Sequence, residues 1–150
     1  GAFLDPVADK LMVAAALVLM PALTRVTLPG LDSLFLSPRM AALDARFDAC
    51  APFPAVVHGY AEMSLAFYAG SDTRFVGAEG AWQALSDPRP GARAFLPAEM
   101  GEALAARNGG AIHVLGRVEG INYNEGPETR DFWLFARRSD HALAPCRVAE

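Results

Sequence analysis

The 150-residue chain carries little charge and few of the residues that build metal or nucleic-acid sites. Charged residues make up 20% of it, the net charge is −4, and Lys10 is its only lysine. An acidic chain without a basic stripe repels phosphate, which argues against nucleic acid as a partner. The three histidines, His58, His113 and His141, show no spacing typical of a zinc site.

Cysteine is equally scarce. Cys50 and Cys146 are the only two, they lie far apart, and neither belongs to a C-x-x-C motif, which argues against a thioredoxin-type or zinc site. Two interpretations remain. The cysteines form a disulfide if the domain lies outside the cytoplasm, or they are two unpaired, partly buried thiols, which is the interpretation we favour.

The sequence also lacks an apolar run long enough to cross a bilayer by itself. Residues 11–23 form a run of thirteen, whereas a spanning helix needs about 20. Asp5 and Asp9 precede this run where a signal peptide carries positive charge. Yet 53% of the residues are hydrophobic, which favours membrane contact or a piece of a membrane protein. The run is therefore the end of a transmembrane helix, or a buried or interfacial helix.

Helix signals and strand signals alternate along the chain. A helix is predicted over residues 6–23, with Asp5 as its N-cap and Pro6 in its first turn. After a Pro/Gly-punctuated connector, helices are predicted near 37–49, 77–87 and 97–110, and extended segments near 54–60, 64–70, 73–77, 92–96, 111–123 and 131–138. The predicted fold is α/β: an N-terminal apolar helix (1–24), a connector (25–36), and a soluble domain (37–150) with a small mixed sheet and helices packed on it.

One polar row stands out in this pattern. Tyr60, Glu62 and Ser64 alternate, so in an extended strand they share one face. Such a row lines a polar cavity for sugar or phosphate, or it is the solvated face of a half-buried strand. The segment from Gly120 to Gly126 is predicted to be a turn between two strands.

Residues 1–10, GAFLDPVADK, resemble the C-terminal half of the signature of CDP-alcohol phosphatidyltransferases, and most closely that of bacterial phosphatidylglycerophosphate synthases. Gly1, Asp5 and Asp9 fall on its last three fixed positions. The resemblance implies that Asp5 and Asp9 bind Mg²⁺ or Mn²⁺ and that Asp9 is the catalytic base for the acceptor alcohol. Carboxylates at i and i+4 do share a helix face, and their oxygens suit these cations. Alternatively, Asp5 caps the helix and Asp9 complements its dipole.

A second resemblance covers residues 25–138. The segments LPGLDSLFLSPRMAALDAR, VVHGYAEMSLAFYAGSDTRFV, GRVEGINYNEG and DFWLFAR are similar to the C-terminal soluble domain of bacterial polyprenyl-phosphate-sugar glycosyltransferases, the group of the lipid A aminoarabinose transferase and the protein mannosyltransferases. Tyr60, Glu62, Ser64, Asn122 and Tyr123 match positions of that family. The resemblance implies a domain that packs over the membrane part and shapes the substrate cavity, while the catalytic carboxylates lie in loops between membrane helices.

These observations predict part of a bacterial membrane glycosyltransferase that uses a lipid-linked sugar donor. The chain is expected to be an accessory domain without a complete active site, with Tyr60, Glu62 and Ser64 as the substrate-binding candidates. Its expected partners are the membrane or a missing transmembrane portion and a lipid-linked substrate, and its soluble part is expected in the periplasm at the inner membrane. The alternatives are part of a CDP-alcohol phosphatidyltransferase, and an interaction module that binds a membrane partner through residues 11–23.

Overall fold

The computed structural model describes residues 4–30, 35–51, 53–122 and 129–139, and in the first helix the side chains of residues 8 and 10–25. The described residues form five helices and five strands. In chain order these are α1 (Leu4–Gly30), α2 (Leu36–Ala45), β1 (Val56–Val57), α3 (Met63–Ala69), β2 (Arg74–Phe75), α4 (Ala78–Ser86), β3 (Arg93–Pro97), α5 (Ala98–Arg107), β4 (Ile112–Ile121) and β5 (Thr129–Arg137). The α/β class is therefore confirmed.

The chain divides into two compact units, Gly1–Leu34 and Phe35–Glu150. The first holds α1, which continues to Gly30, so residues 25–30 are helical rather than part of a connector. Asp5 lies inside this helix instead of preceding it. Large apolar side chains between Leu11 and Leu23 are more than half exposed. Within the described residues, none of the helices is both long enough and apolar enough to cross a membrane.

The second unit is built on one mixed sheet with strand order β2-β1-β3-β5-β4. The strands β2, β1 and β3 run parallel, whereas β5 runs antiparallel to both β3 and β4. The long pair β4–β5 confirms the two predicted late strands. Gly120 and Ile121 belong to β4 rather than to a turn, and residues 123–128 lie outside the described part.

Alternation along the strands divides the core between the two faces of the sheet. Val57, Phe95 and Leu134 face one side, where they pack with α2 and α3. Val56, Leu96 and Phe135 face the other side, where they pack with α4 and α5. Buried β3 and β5 thus lie between two helical layers, as their near-continuous apolar sequences require.

The segment SLAFYAG contradicts the prediction of an extended structure, because Met63–Ala69 is the helix α3. Alanine, leucine and methionine favour a helix. Leu65 faces the core and is fully buried, and the helix ends at Gly70, whose φ of 108° suits glycine. The apparent alternation of Tyr60, Glu62 and Ser64 therefore does not continue as a strand face.

The cysteine interpretation that we favoured is also wrong, because Cys50 is disulfide-bonded and no free cysteine occurs in the described part of the chain. Cys146 is the only other cysteine in the sequence and lies outside the described residues. Sequence spacing alone cannot establish whether two cysteines approach closely enough to bond.

The helix α5 packs closely against the sheet at Gly101. A Cβ atom there would lie 1.9 Å from Cζ of Phe135, so Gly101→Ala must displace a buried ring. We expect it to lower the free energy of unfolding by about 1–3 kcal/mol, as overpacking typically does. Urea unfolding measures this change. Glu102→Ala, at an exposed position of the same helix, is the control and should change stability little. Equal effects of the two variants would contradict the contact.

Candidate functional site

The predicted substrate-binding residues lie around a cluster of three hydroxyl groups. Tyr60 precedes α3, Glu62 is its N-cap residue and Ser64 lies in its first turn. Ser37 of α2 joins two of them: its Oγ lies 2.8 Å from the Tyr60 hydroxyl oxygen and 2.7 Å from Ser64 Oγ. Ser37 and Tyr60 are buried, whereas Ser64 is exposed. The cluster therefore fastens α2 to α3 and leaves one hydroxyl at the surface.

Ser37 does not act as a helix cap in the structure. Its position directly before Pro38 is typical of a helix N-cap, yet α2 begins at Leu36 with Phe35 as its N-cap residue and no side-chain cap hydrogen bond. The hydroxyl of Ser37 is directed to Tyr60 and Ser64 instead. The S-P-R segment and the Y-x-E-x-S segment that carry the glycosyltransferase resemblance thus meet in space.

We expect Ser37→Ala to destabilise the protein by about 1–2 kcal/mol, because it removes two hydrogen bonds at a buried position. Ser64→Ala removes one bond at an exposed position and should cost less. A double-mutant cycle of Ser37→Ala with Tyr60→Phe, followed by urea unfolding, measures the coupling between these hydroxyls. Additive effects in this cycle would show that the 2.8 Å contact contributes nothing.

A buried ion pair joins α2 to β3, and it was not predicted from the sequence. Arg93 Nε donates to Asp44 Oδ1 at 2.5 Å, and the backbone N–H of Ala55 donates to Asp44 Oδ2 at 3.0 Å. The side chains of Arg93 and Asp44 are 0% and 8% exposed. Arg93 Nη1 faces the carbonyl oxygens of Gly91 and Ala51 at 3.3 and 3.5 Å. The one sequence signal was an aspartate in an otherwise apolar stretch of α2.

Burial and charge oppose each other at Asp44. Burial raises the pKa of this carboxyl above its ordinary value of 3.8, and the Arg93 charge and hydrogen bonds only partly offset that effect. Asp87 on the surface shows the reverse: hydrogen bonds from Arg89 hold the pKa of the Asp87 carboxyl below 3.8. The two aspartates thus give the protein pH dependences of opposite sign.

This difference predicts how stability changes with pH. The folded protein holds the Asp44 proton more tightly than the unfolded chain, so the Asp44 contribution is fully present below pH 3.8 and is lost as the pH rises through the raised pKa. The Asp87 contribution is present above pH 3.8 and is lost as the pH falls through the lowered pKa. Carboxyl ¹³C titration by NMR should place the Asp44 midpoint above that of Asp87. The opposite order would refute the assignment.

A cleft of about 440 Å³ opens on the α4 side of the sheet, at the amino ends of the parallel strands. Its polar lining includes Arg74, Gln83 and the ion pair between Asp87 and Arg89, whose closest atoms are 2.8 Å apart. The Arg89 guanidinium also lies 5.3 Å from the Phe53 ring centroid. Cations, an amide, the carboxylates of Asp72 and Asp87, and an aromatic ring suit a small polar ligand that both donates and accepts hydrogen bonds. The predicted row Tyr60, Glu62 and Ser64 does not line this cleft.

The proposed metal ligands Asp5 and Asp9 both lie in α1, one helical turn apart; their side chains are outside the described residues. No group of three or more possible ligands that could hold a metal occurs among the side chains the structure describes. His58 lies between β1 and the α3 segment, where its Nδ1 faces the carbonyl oxygen of Val76 at 2.9 Å. Asn122 is buried just after β4, and Tyr123 lies outside the described part.

The chain matches no family model, no curated protein and no solved structure in the three comparisons made.

Proposed function

We propose that the unit Phe35–Glu150 is the accessory domain of a bacterial membrane glycosyltransferase that uses a lipid-linked sugar donor. The observation that carries this proposal is the meeting of Ser37, Tyr60 and Ser64 in one hydroxyl cluster. These residues come from two separate segments of the glycosyltransferase resemblance, and their shared packing role gives a physical reason for both segments. In this function the cluster holds the domain together, and it does not react.

Two further features support the setting of this domain. The large apolar side chains of α1 between Leu11 and Leu23 are more than half exposed, and contact with lipid or with another helix would bury them. We therefore assign α1 a position at or in the inner membrane. The disulfide at Cys50 suits an oxidising compartment, so we assign the domain to the periplasm. Its partners would be the membrane-spanning part of the transferase and the lipid-linked substrate.

The cleft beside α4 is the part of this domain that we assign to the polar head of the donor. Arg74 and Gln83 supply hydrogen-bond donors at its wall, and Asp87 supplies acceptors. Arg74 forms no ion pair among the described residues, whereas Arg89 is already paired with Asp87. Arg74 is therefore the guanidinium available to a phosphate group.

The test uses the full chain with a water-soluble short-chain prenyl-phosphate mannose, and in a second arm the corresponding aminoarabinose compound. Calorimetry should show binding that weakens about tenfold or more in Arg74→Gln, the loss typical of one charge-assisted hydrogen bond. Arg107→Gln, at an exposed position in the last turn of α5, is the matched control and should bind unchanged. Absence of binding in both arms, or sugar transfer catalysed by this chain alone, would contradict the proposal.

The phosphatidyltransferase remains a second candidate because Asp5 and Asp9 lie in one helix, separated by a single turn. In that function they bind Mg²⁺ or Mn²⁺, and Asp9 deprotonates the acceptor alcohol. Mn²⁺ calorimetry separates the candidates. Under our first proposal, wild type and the Asp5→Asn/Asp9→Asn variant behave alike. Micromolar binding abolished in the variant, with Mg²⁺-dependent release of CMP from CDP-diacylglycerol, would establish the second candidate instead.

A further inference from the structure

A recess of about 660 Å³ lies between α2 and the edge strand β4. One wall consists of Arg39, Ala42, Leu43 and Arg46, whose spacing is that of a single helix face. The other wall is the stretch Val114–Val118. These lining residues include no acid. The two arginines are exposed and form no salt bridge within the described part of the chain. The recess is therefore positively charged, although the chain as a whole carries a net charge of −4.

Two contacts show how α2 is aligned with β4. Arg39 Nη1 donates to the carbonyl oxygen of Glu119, and a Cβ atom at Gly116 would lie 2.6 Å from Cδ1 of Leu43. Later positions of α2 thus contact earlier positions of β4, so the helix and the strand run in opposite directions. Arg39 and Arg46 are about 10 Å apart along the helix axis. The two charges are therefore spread along the recess instead of meeting at one point.

The backbone of β4 is open on the side of this recess. Along a strand, the backbone groups of successive residues point alternately to the two sides. The Glu119 carbonyl that accepts from Arg39 points away from β5, and the N–H and C=O of Arg117 therefore point away as well. Among the described residues, no hydrogen bond outside the β4–β5 pairing reaches the Arg117 backbone. The Arg117 side chain lies on the other face of the sheet, with its Cζ 3.9 Å from the Trp133 ring centroid.

We propose that this recess binds an extended acidic segment of a partner protein, which adds to β4 as a further strand. The backbone of the segment would pair with the N–H and C=O of Arg117, as in other cases of strand addition at a sheet edge. Alternate side chains of a strand are about 7 Å apart and share one face. Carboxylates at two such positions would bind Arg39 and Arg46. The inference goes beyond the proposed function and does not depend on it.

The chemistry of the recess favours this occupant over two others. A free N–H and a free C=O on one residue are both satisfied by another backbone, whereas a small carboxylate anion only accepts hydrogen bonds. Two cations about 10 Å apart along a helix also suit two charges on an extended chain better than one small anion. Antiparallel pairing with β4 of a second copy would place both α2 helices on one face of the joined sheet. Their arginines would then repel each other.

The test uses the full chain and a short, capped, fluorescently labelled peptide of alternating valine and glutamate. Fluorescence anisotropy should show binding that weakens about tenfold or more in Arg39→Gln/Arg46→Gln, because charge-assisted hydrogen bonds are lost. The same peptide with glutamine in place of glutamate should weaken to a similar extent. Arg25→Gln/Arg107→Gln removes the same charge at exposed positions elsewhere. This control variant should bind the acidic peptide unchanged.

Hydrogen exchange of the backbone amides gives a second readout, which charge attraction alone does not move. In the free chain, the Arg117 N–H should exchange faster than the Val118 N–H, because Val118 faces β5 in the sheet. The acidic peptide should slow exchange at Arg117 severalfold and leave Val118 nearly unchanged. This pattern would identify pairing at the open edge of β4.

Every other result overturns the proposal. Absence of peptide binding, or equal weakening in the two double variants, means that the recess does not recognise the acidic segment. Binding that depends on Arg39 and Arg46 but leaves exchange at Arg117 unchanged indicates an anion site without strand addition. Protection of the Arg117 N–H that increases with protein concentration in the absence of peptide assigns the edge to a second copy of this chain.

Discussion

Asp44→Asn should lower the free energy of unfolding by about 3 kcal/mol, because the carboxyl of Asp44 accepts hydrogen bonds from both Arg93 Nε and the Ala55 N–H, whereas an amide has one acceptor oxygen and would place its NH2 group against the other buried donor. The Arg93 side chain is completely buried, and Asp44 is its only partner below 3 Å among the described residues. The carbonyl oxygens around Arg93 lie at 3.3–3.5 Å and cannot replace a carboxylate. The change should appear in urea unfolding as a shift of the midpoint.

A second variant separates the pair from the shape of the site. Asp44→Leu/Arg93→Met removes both charges and replaces them with apolar side chains, so it should recover most of the stability lost in Asp44→Asn. Asp87→Asn breaks the exposed pair with Arg89 and is the surface control; its effect should be small, since solvent screens that pair. If Asp44→Asn were as mild as Asp87→Asn, the buried pair would not support α2 against β3.

The sequence allowed the α/β class, α5 and the β4–β5 pair to be predicted because each has a strong local signal. Pro97 precedes α5, and Asn108-Gly109-Gly110 ends it, with positive φ at both glycines. The β-branched and aromatic residues of β4 and β5 fit two long paired strands. In all three regions, the residues that form the element also contain the information that identifies it.

The hydroxyl cluster and the ion pair could not be predicted because each joins residues that are far apart in the sequence and meet only when their helices and strands pack together. Ser37 and Ser64 are 27 residues apart, and Asp44 and Arg93 are 49 apart. Locally, Ser37 next to Pro38 reads as a helix cap, and Asp44 reads as a polar position of an amphipathic helix. Only the stacking of α2 on α3 and on the sheet shows that both side chains point inward.

The helix α3 could not be predicted because its local sequence pattern is too short to identify it. Tyr60, Glu62 and Ser64 have a spacing of two, but three residues are too few to separate a strand from an extended segment entering a helix. The seven residues of α3 are also shorter than the window in which a helical period is reliable. The tertiary contact of Leu65 with the core decides the conformation here.

Cys50→Ser should lower the free energy of unfolding by about 2–5 kcal/mol, the usual cost of losing a native disulfide from a small domain. Cys50 lies at the end of the turn that follows α2 and packs against the core cluster that contains Met40 and Phe47. The bond therefore ties down the chain that leads from α2 towards β1. Treatment of the wild type with a reductant should shift its unfolding midpoint in the same direction, and should leave the Cys50→Ser variant unchanged.

The stabilities of the two single cysteine variants and of the double variant show whether Cys50 is bonded to Cys146 of the same chain. Since Cys146 is the only other cysteine in the sequence, an intramolecular bond requires that Cys146→Ser match Cys50→Ser and that the double variant cost no more than either. Additive losses would mean that each thiol acts through its own packing, and loss of a covalent dimer on reduction would mean that the bond joins two chains. A stable intramolecular disulfide also favours an oxidising compartment, because a reducing cytoplasm does not preserve such bonds. Loss of stability on reduction, regained on oxidation, would therefore support the periplasmic position that we propose for this domain.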